Sequence, residues 1–204
     1  MTDVARRTGR LAGRSEESIE RLTQLARATF GEQGYARTSL EGIVAAAGMT
    51  KGAVYHHFGS KEALFEHVFR REHRATIAHV AAKGRTARNP VDAILRGFRA
   101  YLETIRDPVA RRILLQDGPA VLGWERWRRC EEPGFQQMME SSLRAAARAG
   151  MLRDGVHPAD TAVLLLGAVT ESALAVAHAA DPAATARRLG RELAAHVEAL
   201  CRAG

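Results

Sequence analysis

The 204-residue sequence is 46% apolar, 26% charged and only 5% aromatic, with a formal charge of +7. That apolar share is enough for a real core, and alanine and leucine recur without the β-branched alternation of strands, so helix is favoured almost everywhere and an all-α protein is expected. The charge is weak support for a nucleic-acid partner, because residues 1–60 hold eight basic against six acidic side chains and arginine outnumbers lysine 27 to 3, as a GC-rich genome alone would produce.

The first residues, with Arg6, Arg7, Arg10 and Arg14, form a basic arm over 1–14 that is expected to be flexible, with a minor-groove contact as the alternative. Ser15 is placed to cap a helix starting near Glu16, in which Ile19, Leu22, Ala26 and Phe30 recur at helical spacing before Gly34 closes it. A second helix opens at Thr38, with Glu41 completing a capping box, and buries Leu40, Ile43, Val44 and Ala47. Gly48 ends it and Thr50 caps the next helix at once, so the two are joined by the short glycine turn of a helix-turn-helix. Val54 and Phe58, four apart, face inward and push Lys51, Gly52, Tyr55 and His56 outward. A helix of about eight residues is unstable by itself and must be held by neighbours. Held with a polar rim exposed, it suits a major groove: Lys51 can donate to guanine, Gly52 and Ala53 permit close approach, and His56 lies one turn on. Thr50, Tyr55, His57 and Lys61 are placed for phosphates.

Ser60 caps a long helix over 61–83 expected to link two domains, 15–60 and 61–204. Pro90 starts a helix with Ile94, Phe98, Tyr101 and Ile105 inward, and Asp107 and Pro108 begin a short one reaching about Gln116. The stretch from Asp117 to Gly134 is expected to break regularity, with a short helix over Trp124–Cys130. Long helices follow over Phe135–Ala149, Ala159–Ala180 and Pro182–Arg202.

The segment "TSLEGIVAAAGMTKGAVYHHFGSKEALF", with "FGEQGYARTS" before it, resembles the DNA-binding part of the tetracycline-repressor (TetR) family of bacterial transcription regulators over about residues 15–70. The resemblance implies a three-helix DNA-binding domain joined to a larger helical domain that binds a small ligand and dimerises. It implies that Lys51, Gly52, Ala53 and His56 read bases while Thr50, Tyr55, His57 and Lys61 grip phosphates, with Ser39 and Leu40 of the preceding helix among the DNA-binding residues. Gly42 departs from the family's usual polar residue and is expected to cost about 1 kcal/mol of local helix stability.

In the larger domain, Phe98, Tyr101, Trp124, Trp127, Phe135 and Met138 are candidates to line a ligand cavity, which their composition suggests would take an uncharged or weakly charged lipophilic effector. Leu164, Glu171 and His178 share a face, leaving three readings for the carboxylate and imidazole: a pocket, a partner subunit, or solvent. The last two helices, rich in Leu164 to Leu166, Ala168, Leu174, Leu189, Leu193, Ala194, Val197 and Leu200, with Gly167 and Ala175 for close packing, are expected to form a homodimer interface.

The histidines show no metal-ligand spacing, no cofactor is expected, and neither a nucleophile elbow nor a phosphate loop nor paired catalytic carboxylates suggest catalysis. Cys130 and Cys201, far apart, suit reduced thiols in a cytosol. The apolar stretch from Thr161 is interrupted by Glu171 and reads as a buried helix, so a cytoplasmic protein with no membrane partner is expected. The resulting expectation is a repressor released from a palindromic double-stranded operator by a small effector. The alternatives are a DNA-binding helical protein without an effector and an enzyme in the C-terminal domain.

Overall fold

The computed structural model of the chain describes residues 3–202, with side chains described for 17–130 and 134–202. Its elements are α1 (Asp3–Gln33), α2 (Leu40–Ala46), α3 (Lys51–Phe58), α4 (Lys61–Arg85), α5 (Pro90–Thr104), α6 (Pro108–Arg111), a π-helical turn (Arg112–Asp117), α7 (Gly118–Leu122), α8 (Trp124–Arg148), α9 (Pro158–His178) and α10 (Pro182–Ala199). The only β-type pairing among the described residues is an isolated antiparallel bridge between Leu152 and Cys201. The chain forms two compact units that divide within α4, after Arg70.

The first unit is built around α1, whose Leu22, Ala26 and Phe30 are fully buried. Phe30, Tyr35 and Phe65 form a ring cluster with centroids 5.2–5.9 Å apart, in the stacked and edge-to-face arrangements that aromatic quadrupoles favour. The start of α4 therefore belongs to this core, with Leu64, Phe65, Val68 and Phe69 buried. The backbone of α1 is helical from Asp3 rather than from Glu16, so Ser15 does not cap it. Ala, Arg and Leu between Asp3 and Arg14 are good helix formers that carry the helix through the expected arm. The side chains of Arg6, Arg7, Arg10 and Arg14 lie outside those described.

The second unit is a helical bundle in which α8 packs on α9, α9 on α10, and α5 on both α8 and α10. Two glycines set close approaches within it. A Cβ on Gly97 would meet Val80 Cγ1 at 3.4 Å, and one on Gly134 would lie 2.6 Å from Ile77 Cδ1. Gly134 thus serves packing rather than a turn, and α8 runs unbroken where Pro133 and Gly134 had suggested a boundary. Trp127 is fully buried on that helix, and its indole N–H donates to the Leu114 carbonyl in the π-helical turn at 2.8 Å. The chain leaves α10 at Ala199, three residues before the expected end, because Arg202 N–H donates to Met151 O and Arg153 N–H to Leu200 O, pinning the tail to the α8–α9 connection. Burial pushes the Cys201 thiol up.

α9 is long and apolar enough to cross a membrane by composition alone, with a mean hydropathy of 1.5, but half of that stretch is buried inside the second unit. The N-terminal part of its outer face is exposed and apolar, with Leu164 74% and Val163 56% accessible beside Gly167 and Ala168. Leu165 and Leu166, in contrast, point into the core together with Leu193 and Val197 of α10.

At the head of α5, Asn89 caps the helix and the Asp92 carboxylate accepts from the Arg88 N–H at 3.0 Å and from Arg96 Nε at 3.0 Å. The Arg88 amide, helped by the two guanidinium groups, holds the Asp92 carboxyl down to about 2. A depressed carboxyl contributes stability above its unfolded value near 3.9 and loses it as pH falls toward the folded one. The melting temperature of wild type should therefore fall between about pH 4 and pH 2 more steeply than that of Asp92→Asn; parallel melting curves would show that Asp92 contributes nothing to acid stability.

Candidate nucleic-acid interface

The connection between α2 and α3 is fixed by backbone geometry that only glycine adopts without strain: Gly48 has φ +65° and Gly59, which ends α3, has φ +74°. Thr50 caps α3, its hydroxyl accepting from the Ala53 N–H at 3.3 Å. The side chain that closes the end of α2 is Arg21 of α1, which donates to the Ala47 carbonyl. Nothing in the local sequence announces Arg21, because its partner lies 26 residues away.

Val54 is fully buried and anchors α3, whereas Thr50, Lys51, Gly52, Ala53, Tyr55, His56 and His57 are all exposed, Tyr55 to 43%. Phe58 is half-buried, its ring edge-on to His67 at 5.2 Å. Lys51 Nζ lies 3.0 Å from the Glu41 carboxylate. This pairing raises the Lys51 pKa, while the Glu41 carboxyl is lowered first by its own backbone N–H and then by Lys51. The rim of α3 is thus a contiguous surface of hydrogen-bond donors and small residues with one cation already oriented.

Three nominated residues sit differently. Ser39, not Thr38, is the N-cap of α2, its Oγ accepting from the Gly42 N–H at 3.0 Å. Thr38 is buried, with its hydroxyl donating to the Gly34 carbonyl, so no Thr38–Glu41 capping box forms and Glu41 is left to meet Lys51. The one-residue shift turns Leu40 into the core, where it is 5% exposed, and this corrects its assignment as a contact residue. Gly42 sits against the cap, and a Cβ there would lie 2.9 Å from Ser39 Oγ. Lys61 is likewise corrected. Its ammonium donates to the Tyr35 and Thr38 carbonyls at 3.0 and 2.9 Å and lies 4.1 Å from the centroid of the Tyr35 ring, so it clamps the α1–α2 loop to α4 instead of facing outward for a phosphate.

The second unit holds a cavity of about 480 Å³, within the range of small-ligand sites. Phe98, Tyr101, Phe135 and Met138 line it, as nominated. Trp124, Trp127, Glu171 and His178 do not. Trp127 is sealed in the core by its bond to Leu114, Trp124 is 58% exposed, and Glu171 and His178 sit on the outer face of α9. The shared face of Leu164, Glu171 and His178 exists, but it points out of the unit. Lining residues without an aromatic or charge-pattern signal in the sequence include Gly97, Arg85, Arg128 and Thr170. Among the described residues no group of three or more His, Cys, Asp or Glu is arranged to hold a metal.

A glycine-turned α2–α3 pair packed on α1 with its second helix exposed, and a separate helical unit lining a cavity, define an all-α helix-turn-helix protein. Residues 22–68 match the model of bacterial regulatory proteins of the tetR family, and residues 91–200 match the tetracyclin repressor-like C-terminal domain. The chain is 30% identical to a TetR-family transcriptional regulator from Pectobacterium atrosepticum whose crystal structure superposes with a TM-score of 0.82, covering 94% of this chain and 97% of that one. It is 31% identical over 108 residues to the HTH-type transcriptional repressor KstR2 of Mycobacterium tuberculosis, 53% of this chain and 54% of that protein. The matched part thus spans about half the length of that curated relative. Over 164 residues it is 32% identical to the HTH-type transcriptional repressor Rv1474c of the same species, covering 77% of this chain and 81% of that protein. The chain belongs to the tetR family of bacterial regulatory proteins.

If Lys61 is a structural clamp, Lys61→Met should lower the unfolding free energy in urea by about 1–2 kcal/mol, the range for hydrogen bonds from a charged donor that is partly exposed. Unchanged stability would show that the two carbonyl bonds contribute nothing.

Proposed function

We propose that the protein is a transcriptional repressor that binds a palindromic duplex operator as a homodimer and leaves it when a small effector enters the second unit. The observation that carries the reading is the outward rim of α3, and on this reading Lys51, Gly52, Ala53 and His56 would meet base edges while Thr50, Tyr55 and His57 would meet phosphates. Gly52 and Ala53, small and exposed in the first turn of α3, favour close approach to DNA. Ser39, exposed at the α2 cap, lies at the edge of the same surface.

The exposed Val163 and Leu164 on α9, flanked by Gly167 and Ala168, support dimerisation, since an apolar helix face of this kind is stable when a second copy covers it. A two-fold dimer sets its reading helices one DNA turn apart, about 34–36 Å. Effector control is supported by α4. Its first turns carry Lys61, Leu64 and Phe65 in the first unit, and its last turns contribute Val80, Gly84 and Arg85 to the cavity wall of the second. The named relatives are repressors, which favours repression over activation.

Two experiments test the reading. With a duplex selected from a random pool by the full chain, Lys51→Ala and Tyr55→Ala should each weaken binding by about 1–3 kcal/mol. Lys51→Ala should also relax base preference, while Tyr55→Ala weakens all sequences alike; unchanged affinity in both variants contradicts the assignment. In light scattering after gel filtration, wild type should be a dimer and Leu164→Glu a monomer. A dimer that survives the substitution would remove the α9 face from the interface.

A further inference from the structure

We infer that the cavity of the second unit takes a neutral lipophilic molecule whose one hydrogen-bonding oxygen, a ketone or a hydroxyl, meets the side-chain hydroxyl of Thr170 on α9. This rests on the reading of that unit as effector-binding and names the chemical class of the effector. Thr23, Thr38, Thr76 and Thr170 are the buried threonines among the described residues. The first three donate their hydroxyls to the carbonyl four residues back, those of Ile19, Gly34 and Glu72, over 2.8–2.9 Å. Thr170 sits within a helix and is only 7% exposed, yet no hydrogen bond runs from its side chain to the Leu166 carbonyl or elsewhere among the described residues. Its oxygen is nevertheless reachable by water. Thr170 shares the cavity-lining face of α9 with Leu166 and Val169, at helical spacing, so the hydroxyl is reached from the cavity.

The rest of the wall leaves no charge for a ligand to meet. No aspartate, glutamate, lysine or histidine is found among the described lining residues, and both lining arginines are provided for. Arg128 is already engaged, in part by the Trp124 ring, whose centroid lies 5.7 Å from the guanidinium carbon, and Arg85 at the end of α4 is exposed to water. Gln137 and Ser141 are exposed as well, Ser142 is half-buried, and Tyr101 is engaged with other groups. Within the buried part of the lining, Thr170 is therefore the polar group left to a ligand, and Phe98 and Phe135 offer it apolar rings. A ligand oxygen there makes the hydrogen bond that the chain itself does not supply. A carboxylate or an ammonium loses its hydration in the same place and gains no opposite charge in return. Of the uncharged and weakly charged effectors expected from composition, this selects the uncharged.

The test displaces the neutral fluorescent probe N-phenyl-1-naphthylamine from the full chain with four competitors that share one ring system: naphthalene, 1-acetylnaphthalene, 1-naphthoate and the 1-naphthylmethylammonium cation. Wild type should bind the ketone about three- to tenfold more tightly than naphthalene, the value of one hydrogen bond, and both ions about tenfold or more weakly than the ketone. Thr170→Val keeps the shape and removes the hydroxyl, so it should abolish the advantage of the ketone and leave naphthalene affinity unchanged, while Thr170→Ser should retain that advantage. An equal change for ketone and hydrocarbon in Thr170→Val, no change for either, a loss that Thr170→Ser shares, an ion bound as tightly as the ketone, or no displacement by any competitor would overturn the inference. Operator release separates this inference from the reading beneath it. If the ligands release the selected duplex but Thr170→Val treats ketone and hydrocarbon alike, effector control stands and the Thr170 assignment falls. If the ketone advantage depends on the hydroxyl but no ligand loosens the duplex, the Thr170 assignment stands and effector control falls.

Discussion

Everything proposed for the first unit depends on a helix that cannot hold itself. α3 has eight residues, below the length at which a helix survives alone in water, so its placement is borrowed from its neighbours. Val54 supplies the buried anchor, the left-handed glycines at 48 and 59 set where the helix begins and ends, and Thr50 accepts from the Ala53 amide in its first turn. A further layer holds those supports. Arg21 closes α2 at Ala47, and Lys61 ties the α1–α2 loop to the start of α4. Because these clamps take up the structural demands, α3 is free to expose nearly all of its other side chains.

The same division of labour runs through the second unit. Close contacts at Gly97 and Gly134 bring α4, α5 and α8 together, and the Trp127–Leu114 bond stitches α8 to the π-helical turn. What remains between the helices is a cavity with a mostly apolar wall. The tail bridge through Arg153 and Arg202 leaves the outer face of α9 uncovered within the subunit. Three separate features remain: an exposed polar rim on α3, a cavity in the second unit, and an exposed apolar patch on α9.

Much of this was legible in the sequence, and the failures have a common cause. Local signals worked: Thr50 as a cap, Gly34, Gly48 and Gly59 as left-handed stops, and the inward pair Val54 and Phe58 all follow from spacing over a few residues. A single-residue slip in the α2 cap, from Thr38 to Ser39, was enough to misassign Leu40. Lys61 was misread because its carbonyl partners lie 23 and 26 residues away, and Arg21 was missed for the same reason. On α9 the heptad spacing gave the right common face for Leu164, Glu171 and His178, but spacing cannot say whether a face meets a cavity or the outside. Likewise Trp124 and Trp127 are three apart on one helix, yet Trp124, its first residue, is exposed while Trp127 is sealed and donates to the Leu114 carbonyl far back in the chain.

The account stands most directly on whether the α3 rim meets nucleotides. The photo-reactive residue p-benzoylphenylalanine, introduced in place of Tyr55 and separately in place of Ala195 on α10 of the second unit, reports this when the protein is irradiated on its selected duplex. The chain substituted at residue 55 should become covalently attached to DNA, and the chain substituted at residue 195 should not. Attachment from residue 195 but none from residue 55, with the duplex still bound, would contradict the account.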